Sequence, residues 1–250
     1  MVKASHRRAY ELRGGTYNER VANRILAALP EEEYEHLLPH LEFATLRYKQ
    51  ALYEPNVPMQ FGYFPNSGMI CLIAVMRDGA SVEVGVIGKE GFVGTPILLG
   101  VKATPNRALV QIAGNAFRIK AEALEAILAR TPRLELMLRR FIQAQAFHLA
   151  QSAACNRFHE VEERLARWLL MARDRAGSDV LPLTHELLAE MLGSRRSTVT
   201  VAAGALQRGG LIGYRRGRVR ILDRTGLENR ACECYEVTKQ QFEHFVFALK

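Results

Sequence analysis

Arginine is concentrated in one short stretch of the chain. Residues 193–225 contain eight arginines and one acidic residue, Asp223, whereas the whole chain of 250 residues has 34 Lys and Arg against 26 Asp and Glu. This stretch therefore holds nearly all of the formal net charge of +8. Guanidinium groups bind phosphates and the O6 and N7 atoms of guanine through paired hydrogen bonds. The pattern indicates a polyanionic partner and places its binding in one small part of the chain.

The sequence lacks the residue spacings that mark common enzymes. It contains no G-x-S-x-G nucleophile turn, no G-x-x-x-x-G-K-[ST] phosphate loop and no H-E-x-x-H zinc motif. Glycines recur at every third position over residues 85–94, a spacing that fits the turns of a β-roll better than a dinucleotide-binding loop. We therefore expect no enzymatic activity.

Cysteine and histidine do not form a recognisable metal motif in the sequence. Cys232 and Cys234 are separated by one residue, not by the two of a zinc knuckle, which favours a spare thiol pair in a C-terminal tail. His36 and His40 have helical spacing, but Pro39 between them distorts a helix. We expect no metal site and no cofactor.

Neither a secretory segment nor a membrane segment is predicted. The first 15 residues contain no apolar core of a signal peptide. The longest apolar run, Met69–Met76, is far shorter than the roughly 20 residues that cross a bilayer. Four cysteines in a chain of this length do not indicate a disulfide scaffold. These features predict a cytoplasmic protein without a membrane partner.

The arginines lie on a predicted winged helix-turn-helix. Thr184 is a good N-cap for a short amphipathic helix, and Gly193 supplies the left-handed residue that ends it. A second helix follows from about 195 to 207, with Val199 on its inward face. The segment 212–221 then reads as strand, turn and strand, a basic wing.

The second helix is expected to enter the major groove of double-stranded DNA with its N-terminal residues. Arg196 is the predicted reader of guanine, and Thr200 and Val201 are placed to contact a thymine methyl group. Ser197 is predicted to face outward beside Arg196, and the other predicted arginines, together with Thr198, are predicted to hold phosphates. The predicted DNA-binding residues are Arg195, Arg196, Ser197, Thr198, Thr200, Val201, Arg208, Arg215, Arg216 and Arg218. Alternative interpretations are a solvated basic face and an adaptor or RNA-binding module without duplex specificity.

A β-rich region and a long helix precede this domain. Short strand-like runs at Met69–Met76, Ser81–Ile87 and Arg107–Ile112 alternate with glycine and proline, which is typical of an antiparallel sandwich or barrel. A long helix begins at Pro132 and carries an apolar stripe. We predict that this stripe is a dimer seam, although packing on the β-rich region would account for part of it. The predicted dimerisation residues are Leu134, Leu138, Phe141, Ile142 and Leu149.

Taken together, these three parts resemble the Crp/Fnr family of bacterial transcription regulators. The likeness is strongest at Val86–Gly94, Phe158–Leu170 and Leu183–Asp223. It implies an α+β fold with an N-terminal antiparallel jelly roll of the cyclic-nucleotide-binding type, a dimerisation helix and a hinge around residues 155–160. It also implies a homodimer that binds a palindromic promoter site, with RNA polymerase as a further partner.

The resemblance extends only in part to the family's cyclic-nucleotide site. There, a Gly-Glu pair contacts the ribose and an Arg-Ser/Thr-Ala step contacts the phosphate. This sequence resembles that pattern at Gly94 and at Arg107 and Ala108, but it has Thr95 in place of the acid and Leu149 where a hydroxyl reads the base. The missing carboxylate removes a charge-assisted hydrogen bond of about 1.5–3 kcal/mol. We therefore expect a regulator that is not controlled by cAMP; the alternative is a cyclic-nucleotide-responsive regulator with a divergent pocket.

These predictions divide the chain into five parts. They are a polar, basic N-terminal extension (1–24), the β-roll domain (25–131), the dimerisation helix (132–155), the winged helix-turn-helix domain (156–225) and a C-terminal tail (226–250).

Overall fold

A computed structural model describes residues 21–247, except for the side chain of Phe245. Most of the predicted N-terminal extension therefore lies outside the described residues. The fold is α+β, as predicted: an N-terminal β-roll, a long helix and a C-terminal winged helix-turn-helix. Among the described residues, no helix combines the length and the apolar composition that crossing a bilayer requires.

Two antiparallel sheets form the roll. One has the strand order β1-β7-β3 and the other has the order β2-β6-β4-β5. The hairpin between β4 and β5 turns at Gly79, whose φ of 85° is the positive value predicted for the Asp-Gly step. The strands are β1 (Leu41–Leu46), β2 (Ala51–Tyr53), β3 (Phe61–Pro65), β4 (Met69–Val75), β5 (Ser81–Ile87), β6 (Asn106–Ile112) and β7 (Gly114–Lys120).

Helices flank the roll and form most of the rest of the described chain. They are α1 (Arg24–Ala27), α2 (Glu31–Leu37), α3 (Ala121–Leu128), α4 (Pro132–Phe158), α5 (Val161–Ala176), α6 (His185–Leu192), α7 (Arg196–Arg208), α8 (Arg224–Arg230) and α9 (Cys234–Phe242). The third sheet, of order β8-β10-β9, contains β8 (Val180–Leu181), β9 (Ile212–Arg215) and β10 (Arg218–Ile221).

The long helix α4 packs its first half into the core of its own chain. Leu134, Leu138 and Phe141 are at most 1% exposed and belong to the same apolar cluster as the strands of the roll. The structure therefore contradicts their predicted place on a dimer seam, because side chains sealed inside one chain cannot contact a second copy. Ile142 is half-buried and Leu149 is 42% exposed, so both stay accessible.

The segment after residue 225 is not a free tail as far as the structure describes it. Helix α9 and the π-helical turn that follows it, Glu243–Phe247, pack against α4. Phe242 and Val246 are buried in the core cluster of the roll. Arg24 pairs through both terminal nitrogens with the Glu243 carboxylate, at 2.5 and 2.7 Å. The interpretation of this segment as a tail is therefore wrong for the described residues.

Candidate nucleic-acid interface

The turn between α6 and α7 is built from local sequence signals. The Thr184 side chain accepts a hydrogen bond from the Leu187 backbone N–H at 3.2 Å, which caps α6. Gly193 then takes a φ of 56°, and the Ser194 N–H bonds back to the Ala189 carbonyl at 3.0 Å. Val199 is fully buried and packs with the other inward residues of α7 in the core of the domain. The opposite face of α7 is thereby directed to solvent.

The solvent-facing side of α7 carries the side chains that the sequence predicts to contact DNA. Val201 is 69% exposed although it is apolar. The neighbouring predicted residues at the start of the helix are exposed as well: Arg195, Arg196, Ser197, Thr198 and Thr200. The structure thus brings the predicted groups of this helix together on one accessible face.

Three of the groups on or beside this face have partners within the chain. The Arg196 guanidinium lies 3.2 Å from a carboxylate oxygen of Glu186 on α6, and both side chains are exposed. The Thr200 hydroxyl donates to the Arg196 carbonyl oxygen at 2.9 Å and lies 3.0 Å from Nδ1 of His185. The His185 ring is 4.2 Å from the Tyr214 ring of the wing, and partial burial, helped by nearby Arg196, lowers the pKa of His185. The hydroxyl of exposed Thr200 is therefore occupied by partners within the chain.

The wing adds exposed guanidinium groups beside the helix. Strands β9 and β10 pair antiparallel, and the two turn residues Arg216 and Gly217 have φ values of 50° and 72°. Arg215 and Arg218 are exposed on either side of this turn, as is Arg208 at the end of α7. Within the described residues, none of these four arginines forms an ion pair, so their charge is directed to solvent.

The winged helix-turn-helix domain, which includes α5, is attached to the β-roll through a polar contact that sequence analysis did not reveal. Trp168 on α5 donates from Nε1 to one oxygen of Glu83 on β5 at 2.8 Å, and the Cys71 thiol donates to the other at 2.9 Å. Burial raises the pKa of Glu83 to about 7. On the same strand, the Ser81 hydroxyl donates to Glu190 of α6 at 2.7 Å. The helix-turn-helix is thus positioned by side chains of the roll.

The four candidate effector-binding residues are Gly94, Thr95, Arg107 and Ala108, and Arg107 among them pairs with a carboxylate of the chain itself. Gly94 is buried with a φ of 114°, and Thr95 begins a 3-10 turn. Arg107 on β6 donates from Nε to Glu54 at 2.7 Å, and Ala108 beside it is fully buried. In the part of the chain described here, no hydrogen bond or ion pair links Arg107 to Thr95. The guanidinium is therefore neutralised by a carboxylate of its own chain.

The sequence profile of the Crp-like helix-turn-helix domain matches residues 163–230, which include α6, α7 and the wing. The transcriptional regulator SdrP of Thermus thermophilus is 29% identical over 188 residues, which cover 70% of this chain and 85% of that protein. Residues 163–230 therefore form a Crp-like helix-turn-helix domain, and the chain as a whole resembles transcription regulators of the Crp/Fnr family.

Solved structures of Crp/Fnr proteins have the same fold. A transcriptional regulator of this family from Thermus thermophilus is 25% identical with a TM-score of 0.57, over 76% of this chain and 98% of that one. FixK2 of Bradyrhizobium japonicum is 18% identical with a TM-score of 0.65, over 77% and 98%. The Crp/Fnr proteins that the chain resembles are transcription regulators rather than enzymes, in agreement with the sequence prediction.

Proposed function

We propose that this chain is a cytoplasmic, homodimeric transcription regulator of the Crp/Fnr type that binds a palindromic promoter site in double-stranded DNA and also contacts RNA polymerase. The observation that supports DNA reading best is the outward face of α7. It combines exposed Arg196, Ser197 and Val201 with the unpaired arginines of the wing on the same domain. A helix with donors at its N-terminal turn and a cationic flank fits the geometry of major-groove recognition.

Arg196 is the proposed base reader. Its guanidinium can leave Glu186, because both side chains are exposed and an exposed ion pair contributes only about 0–1 kcal/mol. The bidentate contact with guanine that replaces it is worth about 1–3 kcal/mol of discrimination. The methyl group of Thr200 and the side chain of Val201 are proposed to contact a thymine methyl. Phosphates are proposed to be held by Arg195, Thr198, Arg208, Arg215, Arg216 and Arg218.

The test compares two arginine variants on the protein's own binding site, found by selection from random duplexes. Arg196→Ala is expected to lower the ratio of specific to random affinity about 10- to 100-fold, since a base contact is lost. Arg216→Ala is expected to weaken both affinities alike and to reduce the salt slope by about one. Arg139→Ala, an exposed arginine on α4, is the matched control and should bind like the wild type. Equal losses on specific and random DNA in both wing and helix variants would contradict the assignment.

The proposed dimer uses the second half of α4. After the structure assigns Leu134, Leu138 and Phe141 to the core, an accessible small and apolar stripe remains at Ile142, Ala146, Leu149 and Ala153. These residues alternate at four and three positions, the spacing of a helix pair. A dimer formed along this stripe is expected to bind half-sites about 34 Å apart, the usual spacing for helix-turn-helix dimers.

Two leucines of α4 give a matched test of this seam. Leu149→Arg is expected to yield monomers in sedimentation velocity, because a charge would be buried between the helices. Leu136→Arg changes a leucine of similar exposure, 40% against 42%, on a different face and should leave the dimer intact. If both variants are monomeric, or if both remain dimeric, Leu149 does not lie at the proposed dimer interface.

Independence from cAMP is proposed from the residues of the roll. Arg107 is paired with Glu54, and Thr95 offers no carboxylate to a ribose. Calorimetric titration with cAMP and with cGMP is expected to show no binding at micromolar concentrations. Micromolar binding of either nucleotide would instead establish the cyclic-nucleotide-responsive alternative.

A further inference from the structure

Four side chains that are distant in sequence meet at the junction of α4 and α5. Cys155 lies in the last turn of α4, and His159 is the residue that ends this helix. Cys232, 77 positions after Cys155, lies between α8 and α9, and Cys234 is the first residue of α9. One donor atom from each of the four lies within 4.8 Å of every other, and the three cysteines are at most 5% exposed. Three thiols and an imidazole are thus collected around one point.

The distances fit the edges of a metal tetrahedron. The Sγ atoms of Cys155 and Cys232 are 3.5 Å apart, and Sγ of Cys234 is 3.6 Å from Nδ1 of His159. Zinc bonds of about 2.3 Å to sulfur and about 2.0 Å to nitrogen place two tetrahedral sulfurs about 3.8 Å apart, and a sulfur and a nitrogen about 3.5 Å apart. These two edges differ from the tetrahedral values by only a few tenths of an ångström, and all other donor pairs of the cluster lie within 4.8 Å.

A second layer of contacts orients the donors. Nε2 of His159 lies 3.1 Å from a carboxylate oxygen of Glu233, so this nitrogen carries the proton and Nδ1 keeps its lone pair for a ligand. A carboxylate behind the histidine is typical of zinc sites in proteins. The Gln151 amide donates to Sγ of Cys234 at 3.0 Å. Glu233 and Gln151 therefore fix the donor atoms in directions that a metal site requires.

Two arginines of α5 bring positive charge to the cluster. The Arg167 guanidinium lies close enough to the Cys155 thiol to interact with it electrostatically and through a hydrogen bond. Arg164 on the same helix lies within electrostatic range of Cys155 and Cys232. Three thiolates around a divalent cation leave one net negative charge, which these two arginines offset.

We propose that Cys155, His159, Cys232 and Cys234 bind one thiophilic divalent metal ion, Zn²⁺, in a closed Cys₃His site. All four tetrahedral positions are filled by protein, so the site is structural and offers no position for a substrate. It fastens the segment that begins α9 to the end of α4, at the junction that leads into the DNA-reading domain. Metal binding thereby holds α9 and the hinge together.

The metal content of the full-length protein is the first test. Purified under reducing conditions and loaded with Zn²⁺, the wild type should contain one zinc per chain in native mass spectrometry. Loading with Co²⁺ should give the visible absorption of a tetrahedral thiolate complex. Cys155→Ser and Cys234→Ser should bind zinc at least 100-fold more weakly. Cys71→Ser is the matched control, because its buried thiol contacts Glu83 outside the cluster, and it should keep one zinc.

Glu233→Gln provides a second variant that is safe for folding, since the Glu233 side chain is 72% exposed. It should keep one zinc per chain with an affinity lowered about 10- to 100-fold, as expected for an outer-layer carboxylate. An unchanged affinity would overturn this arrangement. A wild type that binds no zinc, or that instead carries a Cys155–Cys232 disulfide after purification with reductant, would overturn the proposal as a whole.

Discussion

The helix-turn-helix and the long helix α4 differ in how far their structure is determined by neighbouring residues. In the first, the cap, the turn glycine, the inward valine and the wing turn lie within about 40 consecutive residues. In the second, buried residues have partners that are distant in sequence: Phe141 contacts Phe242, and Cys155 contacts Cys232. Local patterns therefore predict the elements of the helix-turn-helix, although not its contact with the roll, whereas for α4 they predict only that it is a helix.

The largest expected effect is on stability, and it distinguishes α4 residues that pack in the core from those proposed to lie at the dimer interface. Phe141→Ala should lower the free energy of unfolding by about 3–5 kcal/mol, because the ring is fully buried among residues of the roll and Phe242. Leu149→Ala, at an exposed position, should lower it by about 1 kcal/mol or less in the monomeric range of concentrations. Urea unfolding of the two variants and the wild type measures both losses in the free energy of unfolding. A small loss in Phe141→Ala accompanied by dimer dissociation would restore the sequence prediction.

A somewhat smaller effect concerns Glu83, where the roll meets the DNA-reading domain. Burial raises the pKa of Glu83 from 4.5 to about 7, while the hydrogen bonds from Cys71 and Trp168 and the charges of Arg175 and Arg167 oppose this shift. The native chain thus keeps a proton that the unfolded chain loses between about pH 4.5 and 7. The contribution of this group to stability falls as the pH rises through that window, by up to about 3 kcal/mol.

Glu83→Gln, which keeps the shape of the neutral acid, should remove that part of the pH dependence. Urea unfolding of both proteins at several pH values from 5 to 8 measures the difference, and other titrating groups such as His148 cancel because both proteins contain them. Parallel curves for the two proteins would show that Glu83 titrates as an ordinary surface acid.

Substitutions in the helix-turn-helix should change stability less than those at Phe141 or Glu83. Thr184→Ala removes the hydrogen bond to the Leu187 N–H and is expected to cost about 1 kcal/mol, the usual loss for an N-cap. Since the outward face of α7 is untouched, the ratio of specific to random DNA affinity should not change. Thr184→Ser, which keeps the acceptor oxygen, should recover most of the stability in thermal unfolding; a serine variant as unstable as the alanine would rule out capping as the cause.

The smallest effect is expected on the exposed surface of α4. Arg139→Ala breaks the ion pair with Glu135 at 2.7 Å, yet the arginine side chain is 72% exposed and such pairs contribute below about 0.5 kcal/mol. Thermal unfolding should be nearly unchanged and should become indistinguishable from wild type at high salt. A loss above about 1 kcal/mol would mean that this face of α4 is covered.

The sequence predicts most of the fold and the exposed face of α7 for physical reasons. Capping, turn glycines and strand alternation act between neighbours, so Thr184, Gly193 and the β4–β5 hairpin are found correctly. The apolar stripe of α4 is equally visible, but nothing local tells whether its partner is the roll or a second copy, and the roll covers Leu138 and Phe141. The cluster around Cys155 escapes for the same reason: its donors become neighbours only once α8 and α9 fold back onto α4.

Residues Phe242 and Val246 complete the core of the β-roll although they follow the helix-turn-helix in the chain. A ribosome therefore delivers the whole DNA-reading domain before the first domain receives its last side chains. Until then, the surface of α4 that accepts Phe242 is open and apolar, a state that exposes the nascent chain to association with other chains. The N-terminal domain is therefore synthesised first, but its core is completed only after the C-terminal domain has been synthesised.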